Sequence, residues 1–97
     1  MSTADSSRPL YGKICMVTGA TSGIGAVTAR ELARLGGTVV VVGRNAGRCA
    51  REVQRMQRAG GHAEALVADL SSQAQVRRLA EQFASRYGRL DVLVNNA

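Results

Sequence analysis

Thr18-Gly19-Ala20-Thr21-Ser22-Gly23-Ile24-Gly25 is the stretch of this sequence that decides the fold. The short apolar run before it, residues 13–18, is typical of a buried strand that ends at a turn. Apolar residues at 24, 27/28, 32 and 35 have the spacing of a helix that buries one face, so we predict a helix over 24–35. A glycine-rich turn between a strand and a helix is typical of a phosphate-binding site, because the free N–H groups and the dipole of a helix N-terminus favour an anion.

The three glycines of this turn have separate predicted roles. Gly19 permits the tight turn, Gly23 lacks the Cβ that would obstruct a diphosphate, and Gly25 lets the helix pack close to the sheet. Thr21 and Ser22 add hydroxyl donors for the phosphates. The alternative is a turn that needs glycines for its shape alone.

The rest of the chain continues as alternating strands and helices. Thr38–Val42 is an unbroken β-branched run, typical of a strand covered on both faces. A helix is predicted over 46–59, capped by Asn45 and with an apolar stripe of Cys49, Val53 and Met56. A strand follows at 63–68 and another at 90–94. Between them a helix is predicted over 72–87, with a Ser72/Gln75 capping box and the apolar residues Val76, Leu79, Ala80, Phe83 and Tyr87. Such alternation predicts an α/β fold, a doubly wound parallel sheet of about four strands and three helices in the order 3-2-1-4.

Composition narrows the classes of protein that fit. Ninety-seven residues exclude two complete domains, and no apolar run has the length of a membrane span. Two widely separated cysteines exclude a disulfide scaffold and a recognisable zinc site, which fits a cytoplasmic setting. An aromatic content of 3% argues against a nucleic-acid stacking platform. The net charge of +6 favours anionic partners, although twelve arginines and one lysine are also typical of compositional bias.

The octet resembles the first βα turn of the short-chain dehydrogenase/reductase family, which reads T-G-x-x-x-G-x-G. Two more motifs resemble the family in register: Asp69-Leu70 after the third strand, where the family places a carboxylate that binds the adenine amino group, and Asn95-Asn96-Ala97, where it carries N-N-A-G. The resemblance covers roughly residues 10–97, after a leader at 1–9 that we expect to be disordered. It implies a Rossmann-like domain. Segments 12–19 and 29–33 also look somewhat like retinol-dehydrogenase-type reductases.

The residues after the second strand predict which nicotinamide cofactor is preferred. NAD-preferring sites place an acid there for the ribose 2′-hydroxyl, whereas this chain has Gly43-Arg44-Asn45. A guanidinium attracts a 2′-phosphate, so we predict that Arg44, helped by Asn45, selects NADP(H). Arg48 lies within one turn and is a further helper. Arg48, Arg51, Arg55 and Arg58 form one stripe, interpreted as a hydrated helix face, with a nucleic-acid-binding helix as the less favoured alternative.

The residues and the resemblance together predict a site whose cofactor-binding residues are Gly19, Thr21, Ser22, Gly23, Ile24, Gly25, Arg44, Asn45, Asp69, Leu70, Asn96 and Ala97. The family transfers a hydride between nicotinamide and an alcohol or carbonyl, using a Tyr and a Lys four positions later. Tyr11 and Tyr87 are followed at that spacing by Cys15 and Asp91, so no catalytic residue is predicted here.

The end of the sequence at Ala97 falls inside the resembled N-N-A-G motif, so we expect a truncation, with the catalytic part beyond it. The parent would be an oxidoreductase with a small-molecule substrate, expected to be a homo-oligomer without a membrane span. The 97 residues alone would be inactive. The alternative is a non-catalytic nucleotide-binding or interaction module that results from an early stop.

Overall fold

The computed structural model describes residues 7–96. Residues 1–6 of the predicted leader and the predicted site residue Ala97 lie outside this range, and residues 7–12 form turns. The described chain alternates strand and helix throughout, in the order β1 (Ile14–Thr18), α1 (Gly23–Arg34), β2 (Thr38–Gly43), α2 (Ala46–Arg58), β3 (His62–Val67), α3 (Gln73–Arg86) and β4 (Val92–Asn95).

The four strands form one parallel sheet in the order β3-β2-β1-β4, which confirms the predicted order. Thr38 of β2 pairs with Ile14 of β1 and with His62 of β3, and Val92 of β4 pairs with Cys15. The carboxyl ends of all four strands therefore lie along one edge, where ligands bind in doubly wound sheets. The fold is a Rossmann-like α/β fold.

The valine run of β2 is buried on both faces, as predicted. Val39 and Val41 face the core shared with α1 and α2, whereas Val40 and Val42 face α3. Because alternate side chains of a strand point to opposite faces, a continuous apolar run serves both cores.

Helix α1 buries a different face from the one predicted. Ile24 and Val27 are 77% and 60% exposed, and Leu32 and Leu35 are half-buried. The residues of α1 that are buried against the sheet are small: Gly25, Ala26, Ala29 and Ala33. A helix approaches a sheet more closely through small side chains, so the alanine face displaces the bulkier apolar face.

The caps of the other two helices follow the sequence closely. The Asn45 side chain accepts a hydrogen bond from the backbone N–H of Arg48 at 3.0 Å, and the Ser72 side chain accepts one from Gln75 at 3.3 Å. The reciprocal half of the Ser72/Gln75 capping box is not formed. The side-chain oxygen of Gln75 instead accepts a hydrogen bond from the backbone N–H of Asp69 at 2.7 Å, because the loop before α3 folds back over the helix start.

The apolar stripes of α2 and α3 are only partly as predicted. Cys49, Met56, Leu79 and Phe83 are buried, and Val53 and Tyr87 are half-buried. Val76 is 40% exposed, and Ala80 is exposed as well. Helix α3 covers its face of the sheet alone, so its outer apolar residues have no second helix to pack against in residues 7–96.

Candidate cofactor site

The glycine turn lies at the carboxyl end of β1 and opens directly onto α1. Gly19 and Gly23 both have positive φ angles, +61° and +56°, a backbone region that L side chains rarely adopt. Apart from its chain neighbours and the nearby backbone of its own helix, no heavy atom of the described residues lies within 4 Å of the position that a Cβ on Gly23 would occupy. The turn therefore leaves open space beside Gly23, at the point where a phosphate would approach the start of α1.

Gly19 and Gly25 pack against the end of β4. A Cβ on Gly19 would lie 1.8 Å from the backbone oxygen of Asn96. A Cβ on Gly25 would lie 2.0 Å from the backbone oxygen of Gly19 and 2.6 Å from the Nδ2 atom of Asn96. These distances are far below van der Waals contact, so glycine is required at both positions for steric reasons. Gly25 therefore brings α1 close to the glycine turn itself. This contact is more local than the predicted packing of the helix against the sheet.

A hydroxyl group joins the ends of β1 and β4. Thr18 Oγ1 lies 3.0 Å from Asn95 Oδ1, to which it donates, and accepts from the backbone N–H of Asn96 at 3.0 Å. Thr18 is buried, and the Asn95 side chain bridges the two strands. This arrangement fixes Asn96 beside the glycine turn.

The N-terminus of α1 presents groups suited to an anion. Ser22 is the N-cap residue, but its side chain makes no capping hydrogen bond, and it is exposed. The first turn of α1 carries no acidic residue. The Ser22 hydroxyl and the first N–H groups of the helix are therefore available to phosphate oxygens.

Asp69 is held at the end of β3 by its own loop. Its Oδ1 atom accepts hydrogen bonds from the Ser71 hydroxyl at 2.7 Å and from the Ser71 backbone N–H at 3.0 Å. These bonds lower the pKa of the Asp69 carboxyl, and the positive charge of Arg44 lowers it further. The carboxylate is thus ionised at neutral pH. Leu70 beside it is 37% exposed.

Arg44 and Asn45 follow β2, next to Asp69 on the same edge of the sheet. Arg44 is exposed. The oxygen of the Asn45 side chain caps α2, which leaves its NH₂ group as the donor for any ligand. Ala68 donates its backbone N–H to the Gly43 oxygen at 2.9 Å, so the loops after β2 and β3 are tied together.

A groove between α1 and α2 adjoins the glycine turn, with a volume of about 310 Å³. Its lining residues are Thr21, Ser22, Gly23, Ala26, Arg30, Arg48, Arg51, Glu52 and Arg55. The sequence analysis did not predict that Arg30 and Glu52 line this groove. It interpreted the arginine stripe of α2 as a hydrated face; all four arginines are exposed, but Arg48, Arg51 and Arg55 also line the groove.

The predicted site residues fall into three groups. The turn residues 19–25 meet Asn96 at the ends of β1 and β4, whereas the pairs Arg44/Asn45 and Asp69/Leu70 follow β2 and β3. Ile24 points mostly to solvent. All described members lie along the carboxyl edge of the sheet.

The Tyr87 hydroxyl and the two cysteine thiols lie outside the predicted site. The Tyr87 hydroxyl donates to Glu64, and burial together with this carboxylate raises the pKa of Tyr87 to about 12. Cys15 and Cys49 are buried, and burial raises the pKa of both thiols.

Within residues 7–96, no cluster of three or more His, Cys, Asp or Glu side chains is arranged to hold a metal ion. Nor is any helix of this part of the chain long and apolar enough to cross a membrane.

Comparison with known proteins places this geometry in a family. The family model described as short chain dehydrogenase matches residues 13–97. The chain is 49% identical over 85 residues to a 3beta-hydroxysteroid dehydrogenase of Mediterraneibacter gnavus, covering 88% of this chain and 31% of that protein. It is 43% identical over 90 residues to the human dehydrogenase/reductase SDR family member 1, covering 92% of this chain and 29% of that protein.

Solved structures have the same fold. The Pseudomonas aeruginosa RhlG/NADP active-site complex is similar with a TM-score of 0.85 and 44% identity, over 91% of this chain and 35% of that one. A metagenomic short-chain oxidoreductase in complex with NADP has a TM-score of 0.87 and 41% identity, over 91% and 40%. The chain spans about a third of the length of the relatives that it matches. Because the family model matches residues 13–97, most of this chain, the chain belongs to the short-chain dehydrogenase family.

Proposed function

We propose that this chain is the NADP(H)-binding portion of an oxidoreductase that transfers a hydride between nicotinamide and an alcohol or carbonyl substrate. The open space at Gly23, beside the uncapped start of α1, is the observation that carries the proposal. A Cβ at position 23 would project into this space, which lies where helix N–H groups point outward. The relatives support the reaction class through their names, and two solved relatives contain NADP.

The binding roles follow from the positions of the residues. Gly23, Ser22 and Thr21 would hold the diphosphate at the helix start, and Asp69 would accept a hydrogen bond from the adenine amino group. Asn96 would line the cofactor beside Gly19. The bound cofactor supplies the hydride or accepts it; the residues of this chain bind and orient it. Leu70, Ile24 and Ala97 complete the proposed set.

Preference for NADP(H) is proposed from charge. The position after β2 holds exposed Arg44 and no carboxylate, so a 2′-phosphate meets a guanidinium there. The ionised Asp69 carboxylate acts on Arg44 electrostatically, and a 2′-phosphate would therefore share that arginine with Asp69.

Catalysis in the whole protein is assigned to residues that these 97 do not contain. The two tyrosines of the chain lack a lysine four positions later, and Tyr87 is bound to Glu64. We propose a cytoplasmic, homo-oligomeric parent enzyme, and no activity for the 97 residues alone.

Titration with NADPH and NADH, followed by nicotinamide fluorescence, tests the proposal. We expect NADPH to bind more tightly, and Arg44→Asp to weaken NADPH at least about tenfold while NADH changes little, since a charge-assisted contact is replaced by repulsion. Arg58→Asp is the matched control, because Arg58 is an exposed arginine of α2 outside the site. Unchanged NADPH affinity in Arg44→Asp would remove Arg44 from the site. Binding of neither nucleotide by the intact protein would contradict the function.

A further inference from the structure

A second cavity, the amino-edge pocket, lies where α1 and α2 end. It has a volume of about 150 Å³ and is bounded by the C-terminal ends of both helices, by Gly61 before β3 and by Arg8 before β1. The parallel strands begin at this edge of the sheet, whereas the glycine turn lies at the edge where they end. None of the described residues of the proposed cofactor site lines this pocket.

The walls of the amino-edge pocket are tied to one another. The Arg8 side chain donates to the backbone oxygen of Arg34 at 3.4 Å, which joins the segment before β1 to the end of α1. Gly61 donates its backbone N–H to the Met56 oxygen at 2.9 Å. A Cβ on Gly61 would lie 3.1 Å from the Ala33 Cβ, so the ends of α1 and α2 meet there. A ligand would therefore enter a shape that already exists.

The rim of the pocket is positively charged. No acid is among the lining residues that the structure describes, and four of them are arginines: Arg8, Arg30, Arg34 and Arg55. Arg30 donates to both oxygens of Glu52 at 3.3 and 3.1 Å, and Arg55 lies 3.8 Å from the same carboxylate. Arg34 donates to Glu31 at 2.8 Å. Three guanidinium groups thus share two carboxylates, which leaves positive charge for an anion.

The ion pair between Arg34 and Glu31 is the one that a ligand can replace. The two side chains are 68% and 51% exposed, and an exposed pair contributes little to stability. Glu52 differs because its side chain is only 9% exposed and joins the two helices through Arg30. A carboxylate that enters the pocket can therefore take Arg34 from Glu31 while the pairs of Glu52 remain intact. A guanidinium binds either carboxylate in the same way.

The floor of the pocket is apolar. It is formed by Ala33 and Met56, which are buried, and Ala59 adds an exposed methyl group beside them. The aliphatic stems of the arginines extend this apolar surface. A cavity of this volume holds about one six-carbon ring. The complementary ligand is therefore an anion with an apolar body of about that size.

We propose that the amino-edge pocket binds a small apolar monocarboxylate, with its carboxylate on Arg34 and its apolar body on Ala33, Met56 and Ala59. This site goes beyond the proposed function, because it lies at the other edge of the sheet and needs no nucleotide. Binding exchanges one carboxylate for another at Arg34, and the apolar body covers the exposed methyl group of Ala59.

The test uses three probes that separate the two halves of this chemistry. Benzoate carries both a ring and a carboxylate, benzyl alcohol has the ring without the charge, and acetate has the charge without the ring. Calorimetric titration of the intact protein measures their affinities. We expect benzoate to bind with a dissociation constant on the order of 1 mM and the other two probes to bind at least about tenfold more weakly.

Three variants assign the binding to this pocket. Arg34→Gln should weaken benzoate about five- to tenfold, because a charge-assisted contact is lost. Glu31→Gln should tighten it about two- to threefold, because Arg34 no longer has a competing carboxylate. A poorly folded variant would not bind more tightly, so Glu31→Gln separates loss of the site from loss of the fold. Arg58→Gln is the matched control, since Arg58 is an exposed arginine of the same end of α2 that does not line the pocket.

Several results would overturn the proposal. Unchanged benzoate affinity in both Arg34→Gln and Glu31→Gln would mean that benzoate binds elsewhere. Equal affinities for benzoate and benzyl alcohol would remove the role of the arginines, and equal affinities for benzoate and acetate would remove the role of the apolar floor. Absence of benzoate binding to the wild type would refute the site itself. NADP(H) binding is tested separately by the nucleotide titration.

Discussion

The two faces of the sheet are built from side chains of different size. Toward α1 and α2 the core is made largely of small residues, with Ala20, Ala29 and Ala33 beside two cysteines. Toward α3 it is made of larger ones, including Met16, Leu66, Leu79 and Phe83. The face that carries the glycine turn is therefore held by close backbone approach, and the other by bulky side chains that fill the space under a single helix. Adding a carbon to a side chain should therefore destabilise the face covered by α1 and α2, and removing carbons should destabilise the face covered by α3.

Gly25→Ala should have the largest effect, because its Cβ would overlap the backbone oxygen of Gly19, which cannot move aside as a side chain can. We expect a loss of roughly 3 kcal/mol or more in the free energy of unfolding, together with loss of NADPH binding. Gly23→Ala is the control: outside its chain neighbours and its own helix backbone, its Cβ meets no described atom within 4 Å, so it should cost about 1–2 kcal/mol for the positive φ yet still abolish binding. Urea denaturation and NADPH titration measure both. Wild-type stability in Gly25→Ala would contradict the tight approach.

Phe83→Ala and Ala29→Val sharpen the comparison between the faces. Phe83→Ala removes the largest buried side chain under α3 and should cost about 3 kcal/mol, whereas the partial filling in Phe83→Leu should cost about 1 kcal/mol. Ala29→Val adds two carbons to the small-residue face and should cost about 2 kcal/mol by overpacking. Urea denaturation measures all three. A neutral Ala29→Val would show that α1 can move away from the sheet.

The smallest expected effect concerns acid stability at the start of β4. Asp91 accepts a hydrogen bond from the Ile14 backbone N–H at 2.8 Å and one from Arg89, which lower the pKa of its carboxyl. A lowered folded-state pKa gives stability that is present above the unfolded value of about 4 and is lost as the pH falls through the folded one. Asp91→Asn should therefore reduce the difference in stability between pH 7 and pH 3.

Asp69→Asn provides the matched comparison for that experiment. The Asp69 carboxyl also has a lowered pKa, but its partner Ser71 is two residues away, whereas Asp91 joins two strands. Denaturation at the two pH values should show the larger change for Asp91→Asn. An equal change in both variants would mean that the link between strands adds nothing beyond the local bond.

Most of the fold was predictable because local signals and the global arrangement agree. The valine run of β2 indicated a doubly covered strand, and Asn45 and Ser72 indicated the helix starts. The exposed Ile24 and Val27 were predicted wrongly because hydrophobic periodicity assumes that the largest apolar residues face the core. A signal for the true face exists in Ala26, Ala29 and Ala33, which share one side of a helix at i, i+3 and i+7.

The site was harder to predict where partners come from distant elements. Glycine positions follow from the backbone geometry of a known kind of turn, so the sequence indicated them directly. The pairing of Glu52 with Arg30 joins two helices across 22 positions, and no local pattern encodes it. The bond from Asp69 to Gln75 likewise depends on the path of a loop. Side-chain partners of this kind become visible only in three dimensions.

The contact between Gly19 and Asn96 has a thermodynamic consequence for the edge of the sheet. Because Thr18 and Asn96 join β4 to the glycine turn, opening of β4 would also release the turn. A ligand that binds only the closed turn must then stabilise β4 in proportion to its occupancy, although it never touches most of that strand. Amide hydrogen exchange of the β4 residues whose N–H groups bond to β1 would slow as cofactor saturates the turn, and the edge strand would report the occupancy of the site.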